Sequence, residues 1–261
     1  GGSMKHIVSY SGGVGSAVTA KMLCDKYGKD NVVLLFADTK VESKDQYRFT
    51  QAIIKFLGCE FISIADGRTP WQVFNDVRFI GNTRIDPCSR ILKRDLLTKW
   101  IRTNYKHDEC IVWIGIDASE SHRLGPVVAR TLPYIYRSIL IEEDVFLTRK
   151  QKIAWCNINN IKPSIMYEMG FSHDNCGGFC VKAGLGQFKK LYELLPETYA
   201  ENEKQEQEAI KNNPKLKPFL RKTINGKLTY ISMKEYRENY LVPNQVTEDE
   251  SMEFGGCGCA L

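Results

Sequence analysis

Residues 5–16, Lys-His-Ile-Val-Ser-Tyr-Ser-Gly-Gly-Val-Gly-Ser, run an apolar stretch into a turn of glycines and serines and then at once into a helical pattern. This is an arrangement suited to phosphate. Gly12, Gly13 and Gly15 carry no Cβ, so an anionic oxygen can approach the backbone N–H groups of the turn. Ser16 stands where a helix N-cap belongs, ahead of residues 17–23, and the positive end of the helix dipole faces the same oxygens. Ser9, Ser11 and Ser16 add hydroxyl donors. A tight strand-to-helix turn without a ligand is the plain alternative. Two familiar phosphate loops fit poorly. No Lys-Ser or Lys-Thr follows the glycines, as a Walker A loop requires, and Val18 stands where a dinucleotide fingerprint needs its third glycine.

Other clusters share the chain with this loop. Asp38 closes an apolar run and either faces a nucleotide pocket or caps the following helix. Cys88 opens a helical pattern beside Arg90, Lys93 and Arg94, where the dipole and the cations favour its thiolate; a solvated basic face is the alternative. Residues 115–123, Gly-Ile-Asp-Ala-Ser-Glu-Ser-His-Arg, follow another apolar run, as a ligand loop should. Cys176 and Cys180 bracket two glycines, a spacing that lets both sulfurs turn toward one metal. Cys88, Cys176 and Cys180 thus make a candidate three-thiolate site, and His173 would complete a Cys3His zinc set. The end of the chain, Gly-Gly-Cys-Gly-Cys-Ala-Leu with Cys257 and Cys259, has too little side-chain volume for a core; it offers a mobile thiol, a redox pair or metal ligands.

The loop resembles the S-G-G-x-D-S loop of the PP-loop superfamily, with Gly15 in place of its Asp, and several later segments are similar to its reductase branch, which acts on adenylyl sulfate and phosphoadenylyl sulfate (PAPS). Asp38-Thr39 matches D-T-G, although Lys40 replaces the glycine. Residues 87–94 resemble C-C-x-x-R-K, with Cys88 on one cysteine and Lys93 on the lysine. Residues 115–123 resemble G-x-R-x-x-E-S-x-x-R, with Gly115, Glu120 and Ser121 matched, Asp117 in place of the first arginine and Arg123 one residue early. Residues 141–180 follow the order of the family's W-T-x-x-D-V, P-L-Y-x-x-G and paired-cysteine segments, and the tail resembles E-C-G-[IL]-H without its Glu and His. The resemblance implies an adenine nucleotide, ATP or an adenylyl sulfate such as PAPS, held by Ser9, Ser11, Gly12, Gly13, Gly15, Ser16, Asp38, Gly115, Glu120 and Ser121. It implies Lys93, Arg123 and a tail thiol as reacting or phosphate-holding groups. It also implies a [4Fe-4S] cluster on the three cysteines, with zinc as the alternative, and leaves magnesium open.

These residues need a frame. Apolar runs at 6–9, 32–37, 60–64 and 110–114 read as strands, and amphipathic stretches at 16–27, 43–57, 90–104 and 143–159 read as helices between them. Such alternation predicts an α/β fold with a parallel twisted sheet covered on both faces, where ligands sit at the carboxyl ends of the strands. The expected division is a nucleotide-binding domain over 4–185, a helical and hairpin extension over 186–245 and a flexible tail over 246–261. In the extension a charged helix at 187–212 precedes a hairpin turning at Asn225-Gly226.

The chain of 261 residues is 43% hydrophobic and 26% charged, ordinary globular material. Its formal charge of +5 suits an anionic nucleotide and permits a nucleic acid. Nine cysteines, an odd number, argue for thiol or metal chemistry over a disulfide framework. Without a long apolar run, the expected setting is the cytoplasm with no membrane contact. The expected function is sulfur transfer on a sulfonucleotide through a thiol, with a thioredoxin-like reductant. The alternatives are AMP-forming sulfur insertion into a nucleic acid, and nucleotide binding without catalysis. A homo-oligomer is left open.

Overall fold

The computed structural model describes residues 2–82 and 85–246. Its centre is a five-stranded, wholly parallel sheet in the order β3-β2-β1-β4-β5, formed by β1 (Lys5–Tyr10), β2 (Val32–Ala37), β3 (Glu60–Ile64), β4 (Cys110–Ile114) and β5 (Ile135–Arg137). The expected α/β architecture is therefore the observed one. β1 and β2 are buried almost throughout, as strands covered on both faces must be. One face packs Val8, Tyr10, Leu34, Phe36 and Trp113 against α1 (Val14–Tyr27) and α2 (Lys44–Leu57). The other turns Ile7, Leu35 and Val112 toward Ile101.

β1 lies between β2 and β4, so the connections on its two sides diverge at its carboxyl end. That is where an open parallel sheet leaves a crevice. The glycine-serine turn, residues 11–16, sits there.

Three elements differ from their sequence reading. The helix expected over 143–159 is Arg149–Ile158, because Thr148 and Gln151 form a capping box that sets its start. The helix expected over 187–212 is two, Leu185–Leu194 and Pro196–Asn212, since Pro196 can open a helix but cannot continue one. α1 begins at Val14 with Gly13 as its N-cap, so Ser16 lies inside the first turn and not at the cap.

A second hydrophobic cluster joins Trp71 and Phe74 of α3 (Pro70–Val77) to Phe179, Phe188, Phe219 and Tyr236. The hairpin expected around Asn225-Gly226 is present as β6 (Leu220–Ile224) and β7 (Lys227–Ile231). Among the described residues no helix is long and apolar enough to cross a membrane.

Candidate active site

The first turn of α1 has amide groups with no intrahelical acceptor. At its start the Val14 N–H bonds the Tyr167 hydroxyl, and Ala17 N–H already reaches Gly13 O at 3.2 Å. The serines fix the loop to itself: Ser16 Oγ donates to Gly13 O at 3.1 Å, accepts from Ser11 N–H at 3.2 Å and lies 3.1 Å from Ser11 Oγ. Gly12 has φ +84°, and a Cβ there would lie 1.7 Å from Gln46 Nε2, so this position needs glycine twice over. A Cβ on Gly15 would stand 3.0 Å from Gly115 O. The loop and the end of β4 therefore approach backbone to backbone at the position where the family carries its Asp.

This close packing leaves a small cavity of about 120 Å3 over the loop, lined by Ser9, Ser11, Gly13, Gly15, Ser16 and Gly115 and closed by Glu120, Arg123, Lys152, Tyr167 and His173. Arg123 is bonded to Glu120 through Nη1 at 2.5 Å. Lys152 comes from the Arg149–Ile158 helix, with its ammonium 5.8 Å from the centre of the Tyr167 ring. Burial pulls its pKa down, against the opposing charges of Asp117 and Glu120. Two cations thus converge on a helix N-terminus, an arrangement that can hold two or more phosphate or sulfate oxygens.

Of the residues expected from sequence, Ser9, Ser11, Gly13, Gly15, Ser16, Gly115, Glu120 and Arg123 line this cavity; Gly12 is buried beneath it against Gln46. Ser121 is exposed and stands outside the lining. Asp38 also lies outside it: its carboxylate accepts the Tyr47 hydroxyl at 2.6 Å and Lys40 N–H at 2.8 Å. Those bonds hold its pKa below the usual carboxylate value although burial pushes the other way. Asp38 therefore caps its own turn, while Ser43 caps α2. Asp117 accepts Ser119 N–H at 2.9 Å and Leu147 N–H at 2.9 Å, tying the end of β4 to the segment before the Arg149–Ile158 helix.

Lys93 is placed elsewhere. It is buried with Nζ 3.7 Å from Glu42 Oε1, and Glu42 also accepts Thr39 Oγ1 at 3.1 Å and Cys176 N–H at 2.6 Å. Burial raises the Glu42 pKa, and the Lys93 charge works against that rise. This network ties the helical run 87–104 to the loop after β2 and to the Cys176 turn. Asp174 adds a further tie, accepting Ser43 Oγ at 3.0 Å and the Ser164 hydroxyl.

Cys180 lies in the second cluster and Cys88 packs against it, while Cys176 is half-buried. Among the described residues no group of three or more His, Cys, Asp or Glu side chains is placed to hold a metal ion. The donor set thus does not fit a cluster or a zinc ion on the described residues alone. Cys257 and Cys259 lie outside the described residues. Lys152, which sequence reasoning passed over, sits four residues after the Thr148 cap; only that cap signal pointed to the turn of helix that carries it.

Comparison with known proteins agrees with the loop. No curated protein matches the chain. Among solved structures, a protein from Methanocaldococcus jannaschii described as a predicted subunit of tRNA methyltransferase aligns at 14% identity and TM-score 0.37, covering 61% of this chain and 90% of its own. Residues 5–127 match the family model described as the phosphoadenosine phosphosulfate reductase domain. Over those residues the chain is similar to the PAPS reductase-like family of the PP-loop superfamily.

Proposed function

We propose that the protein binds an adenine nucleotide at the loop after β1 and transfers sulfur from a sulfonucleotide through a thiol. The observation that carries this reading is the pairing of a helix N-terminus with Arg123 and Lys152 in one cavity, while Asp38 and Asp117 are engaged by backbone and hydroxyl donors away from it. Holding an adenylyl group needs the donors. Cleaving ATP at the α-phosphate would draw on carboxylates, and the one that lines this cavity, Glu120, is bonded to Arg123.

The step has a simple balance. A tail thiolate, Cys257 or Cys259, attacks the sulfur of adenylyl sulfate; the S–O bond breaks and AMP leaves, its growing phosphate charge met by Arg123 and Lys152. The resulting cysteine thiosulfonate is resolved by a second thiol, the other tail cysteine or that of a thioredoxin-like reductant. Sulfite departs and a disulfide remains. Lys93 has no part in this scheme, because it is committed to Glu42.

The test is product analysis of the full chain with adenylyl sulfate and a dithiol. AMP and sulfite in equal amounts are expected, and their loss in the Cys257→Ser/Cys259→Ser variant. AMP and pyrophosphate from ATP with a nucleic acid present would replace this reading with AMP-forming sulfur insertion. Tight nucleotide binding with no products would leave a binding protein.

A further inference from the structure

The chain carries a formal charge of +5, yet residues 211–234 alone hold seven Lys and Arg and no Asp or Glu, so everything outside that segment sums to −2. The excess positive charge belongs to the β6–β7 hairpin and its approaches. Side chains alternate along a strand, and the register pairs Arg221 with Tyr230 and Thr223 with Leu228 on one face, while Leu220 and Ile231 turn into the second hydrophobic cluster. On that outer face Leu228 is 58% and Tyr230 49% exposed. Lys222, on the inner face, is committed to the fold, with its ammonium 4.4 Å from the centre of the Tyr240 ring.

Arg221 has no such commitment. It makes no side-chain hydrogen bond or ion pair among the described residues, and burial pulls its pKa down with Tyr230 opposing. Lys215 and Lys217, in the loop before β6, and Lys227, after the Asn225-Gly226 turn, are exposed beyond the two ends of this face. A flat strip with one aromatic ring, one leucine and cations around them answers a ligand that brings phosphates and planar apolar faces together. A single-stranded nucleic acid does so: its phosphates meet the cations, and its unpaired bases stack on tyrosine and guanidinium planes. A duplex keeps its base faces stacked inside and would answer the cations alone. An anionic membrane would need a broader apolar face to insert than one leucine and one tyrosine provide. We propose that the outer face of the β6–β7 hairpin binds a single-stranded nucleic acid, with a base on Tyr230 and phosphates on Arg221, Lys215, Lys217 and Lys227. The inference stands apart from which reaction the loop after β1 supports.

The test titrates a fluorescent oligouridylate of about twelve residues with the full chain, saturated with AMP so that the loop cavity is filled, and follows anisotropy. Four phosphate contacts on a single strand predict that log affinity falls against log salt with a slope of about −2.8. Lys215→Gln/Lys217→Gln/Lys227→Gln should reduce that slope by about two. Tyr230→Ala should weaken binding about tenfold at every salt concentration with the slope unchanged, and Tyr230→Phe should restore it. These exposed substitutions should leave the melting temperature and AMP affinity as they were. Tighter binding of oligouridylate than of oligothymidylate identifies RNA as the source, the reverse identifies DNA, and equal affinity a strand of either sugar. A matched duplex bound as tightly as the single strand would overturn the proposal. So would the absence of oligonucleotide binding, unchanged affinity and slope in the triple lysine variant and Tyr230→Ala, or capture by phosphatidylserine vesicles alone. Sulfite formation from adenylyl sulfate can fail without touching any of these results, so the two ideas are separable.

Discussion

Two helical segments bring a lysine toward the carboxyl edge of the sheet, and their surroundings differ. Lys93 is buried against Glu42, which is itself held by Thr39 and the Cys176 amide. Lys152 is half-buried, with its ammonium over the Tyr167 ring and facing the phosphate-loop cavity. A lysine locked to a buried carboxylate cannot also answer a ligand, because withdrawing it strands a charge in a low-dielectric interior. A lysine with no such partner, and with its ammonium weakened by burial, gains by meeting an anion. The first is a device of the fold and the second a device of the site.

Breaking the buried pair gives the largest expected effect. Lys93→Ala should cost about 3–5 kcal/mol of stability, read as a fall in denaturation midpoint, since Glu42 is left uncompensated. The Lys93→Met/Glu42→Gln double variant should recover most of that loss. If Lys93→Ala instead abolishes nucleotide binding in a protein of unchanged stability, Lys93 belongs to the site.

Glu206 sharpens the contrast, being a buried carboxylate with no cation beside it among the described residues. Its Oε1 accepts Met233 N–H at 2.7 Å, its Oε2 has no partner among the described residues, and burial pushes its pKa up to about 8. Between the ordinary carboxylate value and about 8, the folded protein holds a proton that the unfolded chain has released. Unfolding free energy should therefore fall as pH rises through that window, by at most about 1.4 kcal/mol per pH unit from this group. Glu206→Gln should remove that slope; a wild-type protein whose stability is flat there contradicts the assignment.

Lys152→Gln is expected to weaken AMP or adenylyl sulfate binding about tenfold, by calorimetry, with little change in melting temperature. The smallest effect concerns pH. With its pKa lowered by burial, Lys152 should lose its proton below the ordinary lysine range, so nucleotide affinity should begin to decline at a lower pH than an exposed lysine would give. Lys152→Arg should flatten that decline.

Much of the frame was readable from residue order. Apolar runs bounded by turn residues marked β1 to β4, and the glycine-serine turn marked the crossing from β1 to α1 that lies under the cavity. β5 escaped because it is only three residues long, Ile135–Arg137, and carries no periodicity. The acidic stretch before Val145 looked like the start of a helix, but the Thr148 capping box set it later. The site was half legible. Glycines and hydroxyls of the loop announce themselves locally, whereas the fate of Lys93 depends on Glu42, more than fifty residues earlier in the chain. The same limit applied to Lys152, whose partner Tyr167 is remote in sequence.

Phosphate held by the loop after β1 together with Arg123 and Lys152 would protect the backbone that carries those groups. Amide hydrogen exchange with and without adenylyl sulfate tests it most directly. Slowed exchange confined to residues 11–17, 118–123 and 149–155 is the expected result. Slowed exchange over 90–102 and 124–131, with the loop unaffected, would contradict it.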